Sequence, residues 1–491
     1  MNTEAILENS KAVQTYAKQG SIEFHDGPLK LPESMTPLES WEMLGSFIKQ
    51  QEEVTEFVEN FSCLPEDGAA SLNRVLVDLY GWSTGIPTPG FFGSSPPQMI
   101  TIKTGVSTKI QVPFGRLSLP NLDKGYVDCG FWRDKGIVCF KLSAKCKRKD
   151  ERFIKELFTR VNKELTASSI YKGQCFSIEF CNDAGEQLDF PEINFIDVSK
   201  YDKNKLVLSK AIERALQLSL WTPIENFKEV TDNLGNIKRG ILFAGPYGTG
   251  KTLSISATAK MAVEKGYTVV YAKRSKEIKQ ALEVARRYQN PMSILVAEDI
   301  DVMLTSKDGR DDTFNSVINM IDGMDTKHDQ IITLLTTNNI NGIEPSAIRQ
   351  GRISAKIIFT QPDAYATEKL IRLNAGKLLP ASEDIKDVAE LLAGMNPAEI
   401  EECVTLSKYA AINSSGKCNK ILLDDLIEAA HYMQEQAKLQ RDIEDENKPI
   451  KTPSLDAALS ELLGSNKSIK ELANLENQTK ALVENIHSAV T

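Results

Sequence analysis

Histidine is scarce here: four residues, at 25, 328, 431 and 487, lie too far apart in the chain to suggest a histidine-based metal cluster. The eight cysteines include no CxxC pair, which removes the usual spacing of zinc and dithiol sites. Six of them precede residue 182. Cys175 and Cys181 are near enough in sequence to consider as a pair, but reduced thiols are the expectation. Basic charge is not in excess either. A net charge of −9 and a pI near 5.3 argue against a general binder of nucleic acid or anionic membranes, leaving room only for a local basic patch. No apolar run approaches the roughly 18 residues of a membrane span. The segment Met1–Glu8 has neither the basic nor the apolar part of a signal peptide, so a cytoplasmic location is expected. Repeats and low-complexity tracts are missing too.

What remains is an ordinary globular composition, 41% apolar and 25% charged over 491 residues, long enough for two or three domains. Its most informative stretch is an apolar run, Gly240–Ala244, that leads directly into Gly245, Pro246, Tyr247, Gly248, Thr249, Gly250, Lys251 and Thr252, with Leu253 next. This is the spacing of a phosphate-binding loop, in the strand–loop–helix context that such a loop needs. Glycines there let backbone amides approach phosphate oxygens. Lys251 is placed to reach the β- and γ-phosphates, Thr252 to ligate Mg²⁺, and the following helix to point its positive end at the anion. The expected ligands are ATP and Mg²⁺.

Around this loop the chain divides into five parts. Residues 1–97 hold a helical region and a loop. Thr36-Pro37-Leu38-Glu39 is a capping box. Apolar residues at 38, 41, 44, 48, 57, 58 and 61, followed by a second helix near 68–80, predict a helical hairpin. A Gly/Pro/aromatic loop fills 81–97, with Trp82, Phe91 and Phe92 suited to contact a partner or to pack on their own domain. Residues 98–202 mix β-prone runs (99–103, 109–112, 137–142, 175–180) with one helix near 150–166, a small α+β domain. Residues 203–362 alternate helix and strand like a covered parallel sheet, 363–436 are helical, and 437–491 hold a charged linker and two amphipathic stretches, 455–463 and 469–490. The basic run from Lys145 to Arg152 reads first as a solvated strand end, and otherwise as a contact for nucleic acid or an acidic partner.

Further motifs narrow the chemistry. The buried run 293–297 ends in Glu298, Asp299 and Asp301, where one carboxylate can hold Mg²⁺ and its neighbour orient water. A strand at 334–337 runs into Asn338, in reach of a γ-phosphate, and Arg349 and Arg352 follow a loop, three residues apart. Together these segments resemble the AAA+ ATPases, close to the AAA subfamily proper, over roughly residues 203–435. The resemblance implies an α/β P-loop NTPase, a parallel core with a helical lid, and an N-terminal helical hairpin and α+β domain lie ahead of it. It makes the segments Walker A, Walker B, sensor 1 and paired arginine fingers, with 394–401 near sensor 2. It implies ATP hydrolysis by a homo-oligomeric ring, most simply a hexamer. In such a ring Asp299, Glu298 and Asn338 act in one subunit, and Arg349 and Arg352 act on the neighbour's nucleotide.

Three departures qualify this. The acidic pair is Glu298-Asp299 rather than Asp-Glu, an order that resembles the mitochondrial AAA chaperone of the Rieske iron–sulfur protein. Gln350 stands between the arginines, and Pro397 replaces a usual glycine. No aromatic–aliphatic–glycine triplet separates the strand ending at Tyr271 from the helix at 275–288, which argues against gripping an extended polypeptide. The charged loop 305–312 is the other segment able to face a pore. The leading expectation is a ring that remodels a protein client chosen by residues 1–200. The alternatives are a nucleotide-gated scaffold or sensor with little turnover, and a nucleic-acid motor or clamp loader, against which the acidic pI counts.

Overall fold

The computed structural model describes residues 22–24, 27–29, 36–81, 88–90, 93–95, 98–122, 125–235, 237–301, 329–339, 353–416 and 419–446. Contacts divide the chain into one unit ending at Glu402 and a second beginning at Cys403.

Helix α1 (Pro37–Gln51) starts as expected: Glu39 N donates to Thr36 Oγ1 at 3.3 Å and Thr36 N to Glu39 Oε2 at 2.8 Å. The helical hairpin does not follow. Residues Val54–Asn60 form a strand, β1, before helix α2 (Pro65–Tyr80). Adjacent Glu52 and Glu53 end the first helix, and the β-branched start Val54-Thr55 then favours alternation over a 3.6-residue period. Thr55 and Phe57 turn inward while Val54, Glu56 and Val58 stay exposed.

Strand β2 (Met99–Lys103) pairs with β3 (Lys109–Pro113) as a separate hairpin. Strands β4 (Arg116–Leu117), β5 (Tyr126–Asp134) and β6 (Ile137–Lys147) join β1 in an antiparallel sheet of order β1-β6-β5-β4. Helix α2 packs on this sheet together with α3 (Glu151–Ala167), through Leu72, Val75, Leu142, Ile154 and Val161.

The next two strands correct the expected separation of 98–202 from the nucleotide-binding region. Strand β7 (Cys175–Cys181) hydrogen-bonds in parallel to β10 (Thr268–Ala272), and β8 (Gln187–Phe195) adds antiparallel to β7. Both therefore belong to one seven-stranded sheet of order β8-β7-β10-β11-β12-β9-β13. Its other members are β9 (Lys238–Ala244), β11 (Ser293–Ala297), β12 (Ile331–Thr337) and β13 (Ala355–Ile358), all parallel. The buried run Cys175–Phe180 fits a strand covered on both faces, which is a parallel-sheet pattern. Cys175 and Cys181 sit six residues apart on this one strand, about 20 Å along it, so they cannot pair. Both are free.

Successive residues of β9 face opposite cores. Leu242 and Ala244 join the core that includes the four-stranded sheet; Ile241 and Phe243 join Leu216, Trp221, Ile255 and Val269 on the other side. Helices α4 (Lys210–Leu216), α5 (Thr222–Glu225) and α6 (Phe227–Leu234) precede β9. Helix α7 (Lys251–Glu264) follows it, and α8 (Ile278–Arg287) follows β10. Beyond β13 come α9 (Ala364–Ala375), α10 (Lys386–Leu391), α11 (Pro397–Ser415) and α12 (Leu423–Glu446). The last continues ten residues past 436, so the charged segment begins inside a helix. Among the described residues no helix is long and apolar enough to cross a membrane.

Candidate functional site

Strand β9 delivers the loop 245–250 to the edge of the sheet, and α7 leaves from it with Gly250 as its N-cap at φ 94°. Gly245 N is fixed by Thr337 O at 3.2 Å. A side chain at Gly245 is excluded outright, because an added Cβ would fall 2.1 Å from Phe359 O. Thr249 Oγ1 donates to Pro246 O at 2.8 Å and closes the turn. Tyr247 stands out from the loop, 74% exposed, its ring centroid 5.9 Å from Lys251 Nζ.

Lys251 is 6% exposed, and each of its ammonium hydrogens has a target. Nζ donates to Gly245 O and Pro246 O, each at 2.7 Å, and to Asn338 Oδ1 at 2.8 Å. Burial pushes its pKa down, while Asp299, Asp301 and Glu298 oppose that shift. Asn338 turns its other end to Asp299, Nδ2 donating to Oδ1 at 2.9 Å. The sequence motifs around 251, 299 and 338 thus meet in one hydrogen-bonded line.

The three acids after β11 have separate surroundings. Glu298 accepts from the Thr252 hydroxyl, yet burial raises its pKa above the usual carboxylate range, helped by Asp299 and opposed by Thr252 and Lys251. Its Oε1 is buried and finds no hydrogen-bond partner. Asp299 sits at φ 50°, a strained value for a non-glycine residue, held by its N–H on Thr336 Oγ1 at 2.8 Å. Asp301 fixes the neighbouring loop: Oδ2 accepts from Asn338 N at 2.9 Å, and Oδ1 from the Thr337 hydroxyl. That clamp on the backbone of Asn338 was not foreseen from the spacing.

These groups line a cavity of about 470 Å³, with Gly248, Thr249, Gly250, Lys251, Thr252, Leu253, Asp299, Thr336 and Asn338 along one part of it. Another part was only half anticipated. Pro397 and Ala398 belong to the segment flagged after 394, but Lys205–Leu208, Leu370, Leu373, Asn374 and Glu401 were not. The one local signal among these is the apolar triplet Leu206-Val207-Leu208 just ahead of the helix cap Ser209. Arg349, Gln350, Arg352 and the loop 305–312 lie outside the described residues, as do 1–21, most of the loop 81–97 and the stretches 455–463 and 469–490.

The segment after β10 is short, as expected: Lys273 and Arg274 lead into a 3-10 turn, Ser275–Glu277. Arg274 Nη2 pairs with Asp183 Oδ1 at 2.9 Å and Lys273 Nζ with Glu179 Oε1 at 3.4 Å, tying it to β7 and the turn beyond. In the basic run, Lys147 and Lys149 both reach Glu52, at 2.7 and 3.3 Å. Part of its charge is therefore met within the chain.

A parallel sheet with a phosphate-binding loop after β9, acids at the end of β11 and a polar residue at the end of β12 define a P-loop NTPase with an AAA domain. Residues 241–361 match the family model described as ATPase family associated with various cellular activities (AAA). The ATP-dependent zinc metalloprotease FtsH of Mycoplasmopsis synoviae is 28% identical over 249 residues, 45% of this chain and 37% of that protein. FtsH of Ureaplasma parvum is 25% identical over 277 residues, 53% of this chain and 36% of the relative. The 26S proteasome regulatory subunit 8 homolog of Encephalitozoon cuniculi is 29% identical over 219 residues, 41% of this chain and 54% of that subunit. The chain thus spans little more than a third of these FtsH proteins and about half of the proteasome subunit.

Proposed function

We propose that this chain is an ATP hydrolase that assembles into a homo-oligomeric ring, most simply a hexamer, and remodels a protein client selected by residues 1–200. The observation that carries the reading is the line from the phosphate loop through Lys251 and Asn338 to Asp299, inside one cavity.

Backbone amides of residues 245–250 hold the triphosphate, and Lys251 neutralises its β- and γ-oxygens. Mg²⁺ fits the donor set. Glu298 Oε1 is buried without a partner, the Thr252 hydroxyl is beside it, and magnesium takes one or two carboxylates plus phosphate oxygens. When bound, the ion neutralises charge that develops on the phosphates. Asp299, held by Asn338 at Oδ1, orients the attacking water and takes its proton. Asn338 keeps that carboxylate and the lysine in register. Arg349 and Arg352 serve the neighbouring subunit's nucleotide. Two of the relatives are by name a protease and a proteasome subunit, which supports a protein client.

A second reading, a nucleotide-gated scaffold with little turnover, draws on the Glu-Asp order and on the two-residue passage from β10 into its turn. Phosphate release and nucleotide titration on the wild type and Lys251→Ala separate these readings. Turnover that disappears in the variant together with ATP affinity supports the hydrolase. ATP bound by the wild type without phosphate release supports the scaffold. Unchanged ATP affinity in the variant removes the phosphate-loop assignment.

A further inference from the structure

We propose that Glu401 reads the ribose hydroxyls of the bound nucleotide and makes the site select ribonucleotides over deoxyribonucleotides. This deepens the nucleotide-binding reading above and rests on it.

The cavity has two acids in its lining, Asp299 and Glu401. Asp299 is accounted for by Asn338 and the phosphate loop. Glu401 lies on α11, which begins against that loop: a Cβ added at Gly248 would come within 3.9 Å of Asn396 Cβ. Pro397 and Glu401 are four residues apart, hence on one face of the helix, about 6 Å along its axis. The carboxylate therefore sits one helical turn away from the end that meets the phosphates. The remaining walls at this end include Leu206, Leu208 and Leu373, which suit the flat faces of a base.

A carboxylate only accepts hydrogen bonds, and phosphate oxygens repel it. The part of a nucleotide it can meet must offer donors. One turn from the phosphate loop, between that loop and the apolar walls, the group at that depth is the sugar. Its vicinal hydroxyls supply two O–H donors, matched to the two carboxylate oxygens. Acidic side chains play this part on ribose in other nucleotide folds.

The test is a binding titration of the full chain with ADP, 2′-deoxy-ADP, 3′-deoxy-ADP and inosine diphosphate, for the wild type, Glu401→Ala and Glu401→Gln. The wild type should bind ADP about tenfold more tightly than either deoxy form, the worth of one hydrogen bond to a charged group. Glu401→Ala should bind the three adenosine forms within about twofold of one another, with deoxy affinity unchanged, and Glu401→Gln should fall between. Residual ADP binding by the variants shows that they are folded. Equal binding of ADP and its deoxy forms by the wild type overturns the assignment, as does a preference that survives in Glu401→Ala. A variant that keeps the ribose preference but loses discrimination against inosine diphosphate puts the carboxylate on the base and also overturns it. A wild type that binds none of the four overturns the underlying nucleotide reading instead.

Discussion

Glu298 and Asp299 differ by one methylene, yet their surroundings differ far more. Glu298 is pushed inward, its pKa raised first by burial, with Thr252 on one oxygen and nothing on the other. Asp299 sits at the cavity wall in a strained backbone conformation, with Asn338 on Oδ1. Those contacts assign the metal side to the first acid and the water side to the second, whatever their lengths. Asp299→Asn should therefore leave ATP affinity within about twofold of wild type while lowering turnover by 10² to 10⁴, the range of a positioned general base. Glu298→Gln should instead raise the Mg²⁺ concentration needed for half-maximal turnover. Nucleotide titration and phosphate release across a Mg²⁺ series distinguish the two. The assignment is reversed if Glu298→Gln is the variant that traps bound ATP.

Helix α8 links the nucleotide-binding sheet to the N-terminal strands at both of its ends. Before it, Glu277 Oε1 accepts from Cys181 N at 2.8 Å; after it, Arg287 pairs with Asp134 at 2.7 Å. Tyr288 OH then accepts from Leu64 N at 2.8 Å in a buried position, with its ring edge-on to Tyr171 at 5.3 Å. Tyr288→Phe keeps the ring and removes the acceptor, leaving a buried amide unpaired at a cost of about 1–3 kcal/mol. Its unfolding midpoint in urea should fall accordingly, and an unchanged midpoint would mean that water replaces the hydroxyl. None of this linkage was legible in the sequence, because it joins residues more than 90 apart. The strand and helix of 171–195 read correctly as β-prone runs, but a run does not say which sheet receives it. Phe57, Val58 and Phe61 misled for a different reason: their spacing fits one face of a helix that continues from Ile48, until the charge pair at 52–53 is weighed. The phosphate loop was legible because its chemistry is local, one backbone turn with one lysine. The other part of the cavity was not, since it is assembled from 205–208, 370–374 and 397–401, each unremarkable alone.

For the whole molecule, the question is whether one chain holds a complete catalytic centre. The described cavity contains lysine, carboxylates and an amide, but its single cation at the phosphates is Lys251, and that ammonium is already divided among three acceptors. Phosphoryl transfer spreads negative charge over the equatorial oxygens, and a second cation there is worth orders of magnitude in rate. Arg349 and Arg352 are the sequence's candidates, and in a ring they act from the neighbour. Activity per subunit should then rise with protein concentration and saturate as the ring forms. The sharper measurement mixes variants. Arg349→Ala subunits retain a nucleotide site without its trans cation, while Lys251→Ala subunits retain the cation without a site. Each alone should be inactive, and a mixture should recover part of the wild-type rate, because some interfaces pair an intact site with an intact arginine. Arginines acting within their own chain predict no recovery at any ratio. Recovery with Arg352→Ala but not with Arg349→Ala would leave Arg352 as the trans cation and Arg349 as a residue its own subunit needs.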